Sequence, residues 1–153
     1  MWKREEHNMY FVDRQKIEET LQYMEKLMHL FNEQQSWSSS FEQLALERIA
    51  HLLIEAVLDV GNAMIDGFIM RDPGSYEDII DILNDENVIN QSNAKGLKTI
   101  IQYRKSLVQH YTAVDHQALL EQLQNHFSAL KSFPIDVRTY LRNELGPVSA
   151  FRN

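Results

Sequence analysis

Apolar residues recur along most of the chain at intervals of three and four, the spacing that gathers side chains on one face of an α-helix. Ile17, Leu21, Met24, Met28 and Phe31 follow it behind Asp13, whose short carboxylate can cap a first helix. The polar string Gln-Gln-Ser-Trp-Ser-Ser-Ser at 34–40 interrupts the pattern and reads as a loop. Ser40 with Gln43 fits a capping box, so a long second helix is expected over residues 41–69. Arg71-Asp72-Pro73-Gly74 ends it, and Ser75 with Asp78 restarts the chain in a short helix carrying Ile79, Ile80, Ile82 and Leu83. The spacing then predicts a fourth helix over 91–111, with Leu97, Ile100, Ile101, Leu107 and Val108 apolar. Asp115 caps a fifth, with Leu119, Leu120, Leu123, Phe127 and Leu130, and Pro134 opens a short last helix that stops near Gly146-Pro147. Period-two alternation nowhere lasts long enough to compete. The pattern is that of an all-α protein, an up-and-down bundle of four to six helices with one long central helix. One domain of residues 1–153 is expected, with 1–12 a loosely held leader and 147–153 a tail.

The long second helix is apolar over most of its circumference, from Leu52 and Leu53 through Val57 and Met64 to Phe68 and Ile69. Its exceptions, Glu55, Asp59, Asn62 and Asp66, form a single stripe. A helix of this kind must be covered on two sides, which suggests a homodimer seated on it. The stripe is either a solvated strip or the lining of a cleft beside the dimer seam, with Asp59 and Asn62 the candidate lining residues.

Composition narrows the chemistry. The chain has no cysteine, which removes disulfides, thiolate metal sites and cysteine nucleophiles. Gly61, Gly67, Gly74, Gly96 and Gly146 form neither a P-loop nor a dinucleotide fingerprint. No glutamate stands three residues before a histidine, which disfavours a di-iron bundle, and no serine has a hydrolase elbow. Glu47, His51 and Glu55 share a helix face; the spacing could hold a metal, but a partly exposed surface row is the commoner meaning. No apolar run reaches membrane-span length and no signal-peptide core follows Met1, which points to a cytoplasmic protein. The net charge of −7 opposes general affinity for nucleic acid, yet the stretch 88–114 carries Lys95, Lys98, Arg104 and Lys105 and no acidic residue.

Within that basic stretch lies Tyr103-Arg104-Lys105-Ser106-Leu107-Val108-Gln109-His110-Tyr111. Arginine can fork a phosphate and histidine can move protons near neutral pH, a pair suited to phosphodiester cleavage. If the helix stays regular, Arg104 and Tyr111, seven residues apart, share a face. Lys95, Lys98 and Lys105 are candidates for binding a phosphate backbone.

This segment resembles that of the HepT-like ribonucleases, a branch of the HEPN superfamily of small helical dimers. The superfamily signature is Arg, four to six residues, then His; the HepT form adds a tyrosine two places after the histidine. The resemblance extends through Asp59-Val60-Gly61-Asn62, Arg71-Asp72-Pro73-Gly74-Ser75-Tyr76, the stretch 82–89, Leu97 and Val114-Asp115. Arg104 matches the signature arginine and Tyr111 the tyrosine. The usual histidine place holds Gln109, and His110, one residue on, satisfies the looser spacing.

The resemblance implies a HEPN-like dimer whose two motifs share a cleft. It implies a metal-independent, toxin-type endoribonuclease without cofactor, acting on single-stranded RNA rather than DNA and away from membranes. In that chemistry Arg104 steadies the phosphorane charge, and His110 helps activate the ribose 2′-hydroxyl and protonate the leaving oxygen. It further implies an MNT-type nucleotidyltransferase antitoxin that adds AMP to Tyr111. Gln109, as a cleft-lining residue, keeps a second class open: a HEPN-fold dimer that binds RNA, a nucleotide or a protein partner without cutting.

Overall fold

Asp13 caps the first helix as its sequence position predicts, its carboxylate accepting the Lys16 backbone N–H at 3.0 Å. In this computed structural model, which describes residues 12–146, the helices are α1 (Arg14–Glu33), α2 (Ser40–Gly67), α3 (Tyr76–Asp85), α4 (Gln91–Ile101), α5 (Tyr103–Gln109), α6 (His116–Asn125) and α7 (Phe127–Leu145). No strand occurs among the described residues. The expected tail, and the leader up to residue 11, lie outside them. Val12 packs on the core, its side chain standing where a Cβ on Gly67 would fall.

Outside the helix that carries Arg104, three boundaries differ from the sequence expectation. The capping box is Ser39 with Glu42 instead of Ser40 with Gln43: Ser39 Oγ accepts the Glu42 N–H at 3.1 Å and Glu42 accepts the Ser39 N–H at 3.0 Å. A carboxylate answers the positive helix start better than the neutral amide one residue on. Secondly, α2 ends at Gly67 and the chain leaves through Ile69 at φ 56°, the Met70 N–H returning to the Ile65 carbonyl at 2.9 Å. A β-branched residue in that left-handed position carries a conformational cost that glycine would not. Thirdly, the last break falls at His126, and Pro134 sits inside α7. Pro134 removes one helical N–H donor, and Phe133, Pro134 and Val137 are all buried.

At the centre, α2 packs against α1, α3, α5 and α6, while α7 closes on α1, α4 and α6. Gly61 lets α3 approach: a Cβ there would stand 2.5 Å from Ile79 Cγ2. Most of the apolar girth of α2 is thus covered by helices of the same chain, with Val57 and Met64 1% and 0% exposed, while Leu52 and Ala63 are half-buried and Ile69 is exposed. That girth therefore does not itself call for a second subunit. The polar stripe faces outward, with Asp59, Asn62 and Asp66 exposed and Glu55 half-buried.

Arg138 joins α7 to α1 by bonding Glu18 at 2.9 and 3.0 Å and Glu25 at 2.8 Å. Its guanidinium holds both carboxyls below the ordinary glutamate range. Depressed folded values mean that the stabilisation is present near neutrality and fades as pH falls through them. Arg138→Met should therefore lower stability by about 1 kcal/mol at neutral pH, the scale of a partly exposed ion-pair network. Urea unfolding of both proteins across pH should show the difference shrinking to nothing in acid. A difference that persists in acid would assign the effect to packing of the arginine stem.

Candidate functional site

The fourth predicted helix forms over 91–109 with a single irregular residue, Gln102, whose backbone stays right-handed helical at φ −57°, ψ −26° and whose N–H returns to the Lys98 carbonyl at 3.2 Å. Gln102 marks the change from α4 to α5, and α5 stops at Gln109 with His110 as its cap at φ −116°, ψ 42°. Regular rotation therefore does not carry on to Tyr111, which lies in the following turn, 65% exposed. His110 and Gln109 are also exposed.

Arg104, near the start of α5, is held from two sides. Its Nε donates to Glu55 Oε1 of α2 at 2.6 Å, and its guanidinium carbon lies 4.5 Å from the centre of the Tyr76 ring. The carboxylate takes one edge of the fork and the ring covers one face. With Arg104 and Glu55 side chains only 24% and 30% exposed, the pair is partly desolvated and its geometry correspondingly firm. The terminal nitrogens of Arg104 make no hydrogen bond among the described residues.

Tyr76 owes its place to the loop before α3. Arg71 forks Asp78 at 2.9 and 3.0 Å, and Asp78 also accepts the Gly74 N–H at 2.8 Å. Those donors hold the Asp78 carboxyl below its ordinary range, so it stays ionised and keeps the loop closed. Ser75 Oγ then accepts the Asp78 N–H at 3.1 Å and starts α3 one residue before Tyr76.

Between this loop and α5 runs an open groove of about 520 Å³, lined by Ser75, Tyr76, Gln102, Arg104, Lys105 and Gln109 among others. Of the three candidate lysines, Lys105 lines it. Lys98 is paired with Asp81 of α3 at 2.8 Å, and Lys95 is exposed on α4. Asp59 does not line this groove but lies in the same field: burial and then repulsion by Glu55 push its carboxyl up, while Lys16 and Arg104 oppose. Asn62 is exposed further along α2. The basic stretch of the sequence is thus met by acids from other helices, Glu55 and Asp81.

The row Glu47, His51, Glu55 is divided among partners. Glu47 bonds His116 of α6 at 2.6 Å, Glu55 bonds Arg104, and His51 Nε2 lies 3.5 Å from Glu55 Oε1. No metal-holding cluster of three such residues occurs among the described residues.

A model of the ribonuclease HepT-like family matches residues 17–137. The chain belongs to that family. YutE of Bacillus subtilis (strain 168), named as a candidate RNase, is 56% identical over 144 residues, covering 94% of this HepT-like chain and all of the relative. The solved structure of YutE, described as a cytosolic protein, superposes with a TM-score of 0.90. The Shewanella oneidensis HEPN toxin, in a tri-AMPylated form complexed with an MNT antitoxin, superposes with a TM-score of 0.72 at 17% identity, covering 80% of this chain and 96% of the toxin. At that identity the likeness shows a shared HEPN fold.

In this HepT-like protein Glu55 and Tyr76 are named by the sequence, Glu55 in the polar stripe and Tyr76 in the loop before α3, but not as partners of Arg104. Each carried a faint signal: Glu55 heads the polar stripe of α2, and Tyr76 follows a capping serine. Neither signal points to Arg104, which lies 49 residues from Glu55 in sequence.

Proposed function

We propose that this protein is a metal-independent, toxin-type endoribonuclease that cuts single-stranded RNA in the cytoplasm. The observation that carries the proposal is the fixing of Arg104 at the groove by Glu55 and Tyr76, with its terminal nitrogens left for a phosphate. Family membership supports the same reaction. As the ribose 2′-oxygen attacks phosphorus, Arg104 stabilises the charge gathering on the phosphoryl oxygens, and His110 moves protons at the attacking or leaving oxygen. The products are a cyclic phosphate and a free 5′-hydroxyl. Lys105 holds the backbone beside Arg104, and Lys95 and Lys98 add to the attraction.

Single-stranded RNA incubated with the protein in EDTA should be cut by wild type and spared by Arg104→Ala and His110→Ala. Cutting should weaken as salt rises, because phosphate contacts release counterions. Gln109 in the usual histidine place favours a second reading, a HEPN-fold module that binds RNA, a nucleotide or a protein without cutting. Binding of RNA by wild type with no cleavage would select it.

Two protomers sharing the cleft form part of the proposal. Light scattering at micromolar concentration should give about twice the 18.0 kDa chain mass. A monomer at every concentration would remove the shared cleft. Since Val57 and Met64 lie inside one chain, charge introduced there would test folding instead of dimerisation.

A nucleotidyltransferase antitoxin that adds AMP to Tyr111 completes the reading. Exposure of Tyr111 in the turn after α5 leaves its hydroxyl open to a partner enzyme. The added phosphate would place a negative charge near the end of the RNA groove and repel the incoming backbone. Co-expression with a neighbouring transferase should add one AMP to wild type by intact mass and none to Tyr111→Phe. An AMP mapped to another residue would take Tyr111 out of the regulation.

A further inference from the structure

The groove beside Arg104 has two unlike walls. The α5 wall carries the cations Arg104 and Lys105 and the amide of Gln109. The α3 wall is built by Ser75, Tyr76 and Glu77, which offer an aromatic ring and a carboxylate but no cation. A row of phosphates is drawn to the first wall and repelled from the second by Glu77. A strand laid along α5 therefore turns its bases toward α3, where the ring stands.

Tyr76 is suited to receive one of them. Tyr23, Phe41, Tyr76 and Tyr111 are the exposed aromatic side chains among the described residues, and of these only Tyr76 lines the groove. Phe31 stacks between Trp37 and Phe127, and Phe68 meets Tyr140, so those rings are already taken. The ring of Tyr76 has Arg104 on one face, and the residue is still 49% exposed. A base in van der Waals contact with the other face, about 3.5 Å away, stands on the order of 8 Å from the guanidinium, a span that one nucleotide covers. The ring is also set before any ligand arrives. Arg71 and Asp78 close the loop that carries it, and Arg104 holds its face. A platform fixed in advance loses little freedom when a base stacks on it.

We propose that Tyr76 is the base-stacking platform of the RNA site, an inference that rests on the RNA reading above. The base next to the phosphate gripped by Arg104 lies on the free face of the ring. Stacking uses the π-face that every base has, so the platform tolerates many sequences. A base reaches it only after leaving its neighbours in the strand, which excludes duplex RNA and restricts the site to single strands. One side chain thus serves both halves of a nucleotide, holding the guanidinium on one face and the base on the other.

The test separates base from backbone. Two short RNA strands are fully 2′-O-methylated so that neither can be cut. One is made of adenosines, and the other has the same length and charge but no bases on its sugars. Wild type should bind the adenosine strand about 10-fold more tightly, the scale of one base–aromatic stack. Tyr76→Leu should erase that preference and Tyr76→Phe should keep it. Lys105→Ala should weaken both strands alike, as loss of a phosphate contact does. With 2-aminopurine in place of adenine, fluorescence should fall on binding to wild type and stay bright on Tyr76→Leu. A Tyr76→Leu protein that binds both strands more weakly but keeps the full preference would show a ring that only props Arg104. That result would overturn the platform, and cleavage by wild type would leave the nuclease reading standing. A preference carried by Tyr76 in a protein that never cuts RNA would uphold the platform and remove the nuclease. Wild type that binds neither strand would overturn both.

Discussion

The ion pair between Glu55 and Arg104 is the contact on which the site depends. It joins the central helix to the short helix that carries the signature, across a gap no local sequence rule spans. At 2.6 Å, with both side chains mostly covered, it belongs to the strong class of charge-assisted hydrogen bonds. Removing one partner would leave the other charge partly desolvated and unpaired, so the pair is costly to break even where its net stabilisation is small. An arginine side chain has many rotamers. Holding its Nε edge and its face fixes in advance where the terminal nitrogens stand, and that order is what a phosphate needs.

The rest of the fold keeps those two residues at that distance. Gly61 removes a side chain where α3 crosses α2, so the helix that starts at Tyr76 can lie close. The Arg71–Asp78 fork closes the loop that delivers Tyr76 to the guanidinium. On the far side, Glu47 and His116 tie α6 to α2 at 2.6 Å and fix the segment that follows the signature. Each is a polar clamp on an apolar core, and each restricts a direction in which α5 could drift.

Charge shows how a fold edits a sequence. Read along the chain, 88–114 is a basic segment within an acidic protein. In space, Asp81 takes Lys98 and Glu55 takes the Nε edge of Arg104. The cation that remains at the groove beside Arg104 is Lys105. What survives is a pair of cations, Arg104 and Lys105, in a groove that Glu77 also lines, instead of a broad basic face. That suits recognition of single phosphates within an acidic molecule better than general attraction to nucleic acid.

The all-α class, the long central helix, the caps at Asp13, Ser75 and Asp115, and most of the core were legible in the sequence, because periodicity and capping are local and each acts within a few residues. Family and signature were legible for the same reason: they are ordered residue types at fixed spacing. Spacing alone could not tell whether the helix carrying the signature stays whole, whether Pro134 starts a helix or lies inside one, or what covers α2. Those outcomes turn on which surfaces meet. Phe133 and Val137 draw Pro134 into a buried helix, and four neighbouring helices cover an apolar girth that resembled a subunit interface. The pairing of Glu55 with Arg104 was decided only by tertiary structure. Partial desolvation of two opposite charges 49 residues apart is a property of the folded packing, and no local pattern carries it.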